Sequence, residues 1–136
     1  MTDESVRAIK IGDKMPDGTI FAGVSPDSGK AMYVTPADAP LTMKWNAAQQ
    51  YAAALNINGH QDWRVPSKAE LNVIFSNAAA IGGFKARGND DAVWYWSSTP
   101  DAGMRSDINA WNQNFADGKQ YNEYKIYASS VRCVRG

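Results

Sequence analysis

The chain is short of the residues that most chemistry needs. Of its 136 residues one is a cysteine, Cys133, and one a histidine, His60. A single cysteine excludes an internal disulfide and leaves a thiolate metal site without partners. A single histidine excludes a two-histidine metal site within the chain. Net charge is lacking too, because 14 Lys and Arg balance 14 Asp and Glu. There is then no bulk electrostatic pull toward nucleic acid or an anionic membrane. No apolar run approaches a membrane span. The acidic start Met1-Thr2-Asp3-Glu4-Ser5 lacks the apolar core of a secretory signal; neither absence fixes a compartment. A glycine-rich phosphate loop between strand and helix is missing, which counts against a nucleotide-binding doubly wound fold. So is a Gly-x-Ser-x-Gly nucleophile elbow.

What is present is aromatic and loop-forming. Trp, Tyr and Phe make up 11% of the residues and glycine adds 11 positions, which suggests irregular backbone held by aromatic anchors. The best-specified stretch is Asp62-Trp63-Arg64-Val65-Pro66-Ser67-Lys68-Ala69-Glu70-Leu71. Ser67 and Glu70 have the spacing of a capping box, with Pro66 holding the chain extended before it. A helix is therefore expected from Lys68 to residue 75 or 77, burying Leu71, Ile74 and Phe75. Asp62 and Arg64 read as ties between loop backbone and a neighbour, and Trp63 as a wedge onto a core.

The remaining elements follow from turn signals and periodicity. Residues 1–17 read as a leader in which Val6, Ala8, Ile9 and Ile11 suit a short edge strand; residues 18–136 read as one domain. Strands are expected at 19–24 and 31–35, joined as a hairpin. Trp45, Ala48, Ala52 and Leu55 recur at helical spacing and predict a helix over 43–56 with Thr42 as its N-cap. Further strands are expected at 93–99, 110–115 and 129–134. Period two puts Trp111 and Phe115 on one face of the middle one, and Asn112 and Asn114 on the other. In the last strand Val131 and Cys133 oppose Arg132 and Val134. This order is α+β with an antiparallel sheet.

Several residues invite a chemical reading. His60 reads as a hydrogen-bonding loop residue, and Cys133, between valines, as an inert buried thiol. Asp90, Asp91, Asp101, Asp107 and Asp117 supply loop oxygens of the kind calcium takes, but not in the helix–loop calcium pattern; no cofactor is expected. Residues 101–127 are rich in Asn, Gln and Tyr on few apolar anchors, the composition of adaptable binding surfaces. The candidate ligand-binding set is Arg105, Asp107, Asn109, Asn112, Asn114, Gln120, Asn122 and Tyr124. The candidate structural anchors are Trp45, Trp63, Ser67, Glu70, Trp96, Trp111, Phe115 and Cys133.

Four motifs carry a resemblance: residues 62–71; Trp94-Tyr95-Trp96-Ser97-Ser98-Thr99; Ala110-Trp111-Asn112-Gln113-Asn114-Phe115-Ala116-Asp117-Gly118; and Ser130-Val131-Arg132-Cys133-Val134-Arg135. In this order the chain resembles the DUF1566 family, which includes the C-terminal domain of a Legionella collagen-like adhesin, within the broad C-type lectin-like superfamily. The resemblance spans about residues 18–135. It implies two helices on an antiparallel sheet, long loops, and paired N- and C-terminal strands. It also implies that Trp63, Trp96 and Trp111 serve the scaffold. The paired cysteines of the related formylglycine-generating enzymes, the iron-binding histidines of the sulfoxide synthases, and the Glu-Pro-Asn and Trp-Asn-Asp sugar signatures are absent. Residues 105–127 are similar to the variable region of retroelement-diversified lectin-like proteins of phages and bacteria.

The expected function is non-catalytic binding of a surface protein or glycan, as in a phage receptor-binding or bacterial display protein. Nucleic acid and membrane insertion are not expected. Two alternatives stand beside it. One is an enzyme or accessory domain using His60 with loop carboxylates. The other is an oligomerising module that packs its tyrosine-rich surface against another copy.

Overall fold

The computed structural model describes residues 9–88 and 90–136. Most of the expected leader strand, including Val6 and Ala8, lies outside the described residues. Ile9 and Ile11 are exposed and form no strand. Residues 12–19 instead fold back on the first strand, with Gly12 N–H donating to Phe21 O at 2.8 Å and Phe21 N–H to Asp13 O at 2.9 Å.

Among the described residues the fold is mixed α/β, with two three-stranded antiparallel sheets and three α-helices. β1 (Ile20–Val24) and β2 (Ala31–Val34) form the expected hairpin, and β6 (Val134–Arg135) joins it in the order β1-β2-β6. The C-terminal strand therefore pairs with the second strand, not the first as the resemblance implied: Tyr33 faces Arg135 and Val34 faces Val134. The other sheet has the order β3-β4-β5, from β3 (Trp94–Pro100), β4 (Asn109–Asn114) and β5 (Gln120–Tyr124). β5 was not legible in the sequence. Gln-Tyr-Asn-Glu-Tyr has no apolar alternation, and it is a strand because β4 offers it an edge.

α1 runs Trp45–Ala54, α2 Lys68–Ser76 and α3 Ala78–Ile81. The capping box of α2 forms in full. Ser67 Oγ accepts from Glu70 N–H at 3.2 Å and Glu70 Oε1 accepts from Ser67 N–H at 2.9 Å. Thr42 does not cap α1. The helix starts later, after Lys44, without a side-chain cap. Met43 is held extended by paired hydrogen bonds with Ser129, and the Trp45 N–H donates to Lys125 O at 3.0 Å. A backbone carbonyl brought in by the tertiary fold replaces the local cap.

The strands divide their side chains between two cores. Tyr95 of β3 faces a core with Leu71, Ile74, Phe115 and Val134; Trp96, next in sequence, faces one with Ala48, Ala52, Trp63 and Val131. The strand expected at 129–134 shrinks to β6, because only Val134 and Arg135 find a strand edge to pair with in the first sheet, but the extended stretch before it still alternates: Val131 and Cys133 enter the second core and Val134 the first. α2 lies against β1, β3 and β4, and α1 against β3. Glycine matters most at Gly118, in the β4–β5 turn. Its φ is +86°, and a Cβ there would stand 2.5 Å from Phe75, so only glycine lets the turn close over that ring.

Candidate functional site

The stretch that dominates the sequence is a clamp. Arg64 pairs its backbone with Val134, and its guanidinium grips Glu70, Nη1 to Oε1 at 2.6 Å and Nη2 to Oε2 at 2.9 Å. Ser25 Oγ donates to the same carboxylate at 2.6 Å. Burial alone would raise the Glu70 carboxyl. Arg64, Ser25 and the Ser67 N–H outweigh it and hold the pKa at about 2. Asp62 takes Arg135 in a two-bond pair, at 2.8 and 3.0 Å. These residues tie the start of α2 to the first hairpin and the last strand.

His60 and Cys133 lie apart from each other's chemistry. His60 Nε2 is 2.6 Å from Asp17 Oδ2, and the hydrogen bond from His60 holds the Asp17 carboxyl well below its usual range. Asn58 Nδ2 donates to Asp17 O in the same turn. Asn58 and Gly59 both have positive φ, 54° and 79°, the Asn-Gly turn that lets Ile57 and His60 pair. Cys133 is buried beside a cavity of about 270 Å³ that Asp38, Tyr51 and Leu55 also line. Burial pushes its thiol up to about 12. Because the thiolate is the reactive form, we expect an aromatic disulfide reagent at pH 8 to leave Cys133 unmodified in the folded protein and to titrate it once denaturant is added.

The neighbouring buried charges are also structural in placement. Arg132 Nε donates to Thr35 O at 2.8 Å and Nη1 to Gly82 O at 2.9 Å, with Asp38 Oδ1 3.5 Å away and the Phe84 ring stacked at 4.5 Å. Burial lowers the Arg132 pKa and raises that of Asp38, which accepts a short hydrogen bond from the Tyr95 hydroxyl. Loops 35–39 and 82–85 are thereby fastened to the last strand. Among the described residues no three of His, Cys, Asp and Glu stand together as a metal site, and no helix is long and apolar enough to cross a membrane.

The eight candidate ligand residues do not form one patch. β4 is the central strand, hydrogen-bonded along both edges, and its residues are buried or half-buried. Asn109 and Asn112 are 8% and 2% exposed. Asn114 Oδ1 accepts from Ala116 N–H at 2.7 Å and shapes the turn. Gln120 Nε2 donates to Lys68 O at 3.0 Å and fastens β5 to α2. Arg105 and Asn122 are exposed. Asp107 and Tyr124 alone of the eight line a groove of about 410 Å³ between the 101–108 loop, β5 and α1.

That groove combines apolar and polar walls. Ile108, Tyr124 and Ile126 are exposed large apolar residues of its lining, which also takes Lys44, just before α1, and Asn46 and Gln50 of α1. Lys125 holds the parts together. Its N–H donates to Ile108 O, its Nζ donates to Ser106 O at 2.8 Å, and its ammonium lies 4.2 Å from the Trp45 ring centroid. The sequence reading missed Ile108, Ile126 and the α1 residues. The signal was there in Ile126, an apolar residue inside a polar run with no periodic partner to bury it.

The family model of the Lcl C-terminal domain matches residues 25–135. The chain belongs to this family. The match starts just after β1, so the first strand and the turn before it lie outside the matched residues. It takes in the Arg64–Glu70 clamp, the second core, all of the first core but the β1 residues Ile20 and Ala22, and the groove. No curated protein sequence matches the chain significantly.

Proposed function

We propose that this Lcl C-terminal domain is a non-catalytic module that binds a protein or glycan displayed on a surface. The observation that carries this reading is the groove beside β5. There Ile108, Tyr124 and Ile126 are left exposed around a concavity that also offers Asp107, Lys44, Asn46 and Gln50. Rings and branched chains supply contact area, and the amides and charges fix orientation. The family's adhesin-like character supports the same direction by analogy. A C-type lectin-like fold fits the two longer helices, the antiparallel sheets and the return of the last strand to the first hairpin. If segment 105–127 is diversified as in retroelement-driven lectin-like proteins, Arg105, Asp107, Asn122 and Tyr124 are the positions free to change without unpacking the sheet.

The test is an array of glycans and an array of cell-surface proteins probed with the whole chain. Selective binding is expected on one of them. It should fall at least tenfold in the Ile108→Ser, Tyr124→Ala double variant, with thermal unfolding unchanged. No selective binding on either array, or binding indifferent to the double variant, would remove the groove from the function.

A further inference from the structure

β5 is the outer strand of its sheet, with β4 as its only strand partner among the described residues. The phase of the β4–β5 ladder is fixed at both ends. Asn114 N–H donates to Lys119 O and Lys125 N–H to Ile108 O, each at 2.9 Å. Opposed residues of an antiparallel pair alternate between hydrogen-bonded and non-hydrogen-bonded. Lys119, Tyr121, Glu123 and Lys125 therefore turn their backbone groups toward β4, and Gln120, Asn122 and Tyr124 turn theirs away. Tyr124 is already served. Its N–H donates to Glu123 Oε1 at 2.8 Å, and its O accepts from Tyr127 N–H at 3.1 Å. The outward N–H and C=O groups of Gln120 and Asn122 have no partner among the described residues. A sheet edge with unpaired donors and acceptors is a template for another strand.

We propose that this edge takes a second copy of the chain, β5 pairing antiparallel with β5 of the copy about a two-fold axis at Tyr121. In that register Gln120 stands opposite Asn122 of the copy, and Asn122 opposite its Gln120. Every open backbone group of the edge is then paired. Lys119, which is exposed, stands opposite Glu123 of the copy, and opposite charges directly across two strands stabilise the pairing. Glu123 keeps one oxygen for this, because only Oε1 is engaged with the Tyr124 N–H. Tyr121, 48% exposed, meets its own counterpart on the axis. Each Tyr121 ring is braced edge-on by Trp94, with centroids 5.2 Å apart. The neighbouring registers fit less well. An axis at Asn122 sets Lys119 against Lys125 and Gln120 against the occupied Tyr124. An axis at Gln120 sets Asn122 against Gly118, whose N–H is given to Asn114 O. The contact is isologous, so it closes at two copies. It is also short, which makes the association weak and dependent on concentration.

Sedimentation velocity of the full chain, from micromolar to millimolar concentration, tests this. A monomer–dimer equilibrium is expected. Asn122→Pro removes an outward N–H and leaves the β4 ladder whole; it should weaken the dimer at least tenfold. Lys119→Glu should weaken it to a similar degree. Adding Glu123→Lys to that variant should restore it, a rescue that a misfolded chain would not give. Amide hydrogen exchange reads the same contact residue by residue. The Gln120 and Asn122 amides should exchange fast in dilute protein and slow down as the dimer fills, with Tyr121 and Glu123 protected throughout. A chain that stays monomeric at every concentration would overturn the proposal and leave the edge to a strand of another protein. A dimer indifferent to Asn122→Pro, or one that the charge swap fails to restore, would overturn it as well. Asn122, Lys119 and Glu123 do not line the groove, so the outcome here and the outcome on the arrays are independent.

Discussion

Replacing Trp63 by alanine is expected to cost roughly 3–5 kcal/mol of folding stability, the range for deleting a large buried ring. The side chain is 3% exposed and packs with Val65, Trp96, Val131 and Cys133. α1 meets this core through Ala48 and Ala52, small residues that cannot move in to fill the space the indole leaves. Its Nε1–H donates to Ile57 O at 3.3 Å, so the loop after α1 loses a tie as well. Chemical denaturation should show a lower midpoint with an unchanged slope, and Trp63→Phe should lose less. A variant with full stability but no ligand binding on the arrays would instead make Trp63 a contact residue.

Glu70→Ala is expected to cost about 3 kcal/mol at pH 7, the low end for removing one partner of a buried charge pair. The low end applies because the Arg64 side chain is 40% exposed and regains water when its partner is lost. Two other partners are stranded along with it, since Ser25 and Ser67 converge with both arms of Arg64 on this one carboxylate. The pH dependence has a definite sign. The folded-state pKa, about 2, lies below the ordinary 4.5. Its contribution is therefore complete above pH 4.5 and is lost as pH falls toward 2. Urea denaturation of parent and Glu70→Ala at pH 7, 4 and 2.5 should show the difference between them shrinking at each step. A difference that stays constant with pH would mean that packing, not charge, is what Glu70 supplies.

Legibility followed the range of the interactions. The α2 start was readable because a capping box joins residues three apart. The second role of Glu70, as the acceptor for Arg64 and Ser25, was not, because Ser25 lies 45 positions away. The alternation of Val131, Cys133 and Val134 between two cores was readable from period two, since extended backbone turns successive side chains to opposite faces, even though β6 itself covers only Val134–Arg135. The start of α1 was misread for the opposite reason: Lys125 O caps it from 80 positions downstream.

The candidate site shows the same division. Composition singled out segment 105–127 as polar and tyrosine-rich. It did not separate Tyr124, exposed on the groove, from Asn112, buried on the central strand β4, because polarity does not reveal which strand is central. Ile108 and Ile126 drew no notice, for a single apolar residue in a loop carries no periodicity.

By itself the sequence determined the α+β class, the pinned entry to α2, the alternation of the C-terminal stretch between two faces and the absence of paired cysteine or histidine chemistry. All of these depend on composition or on residues within a few positions of one another. Only the tertiary structure decided that β6 joins β2, that Gln120–Tyr124 is a strand, and that the candidate ligand residues divide between scaffold, groove and open surface. Those outcomes depend on which distant backbone edge or carbonyl arrives at each segment, and long-range pairing of that kind leaves no local trace.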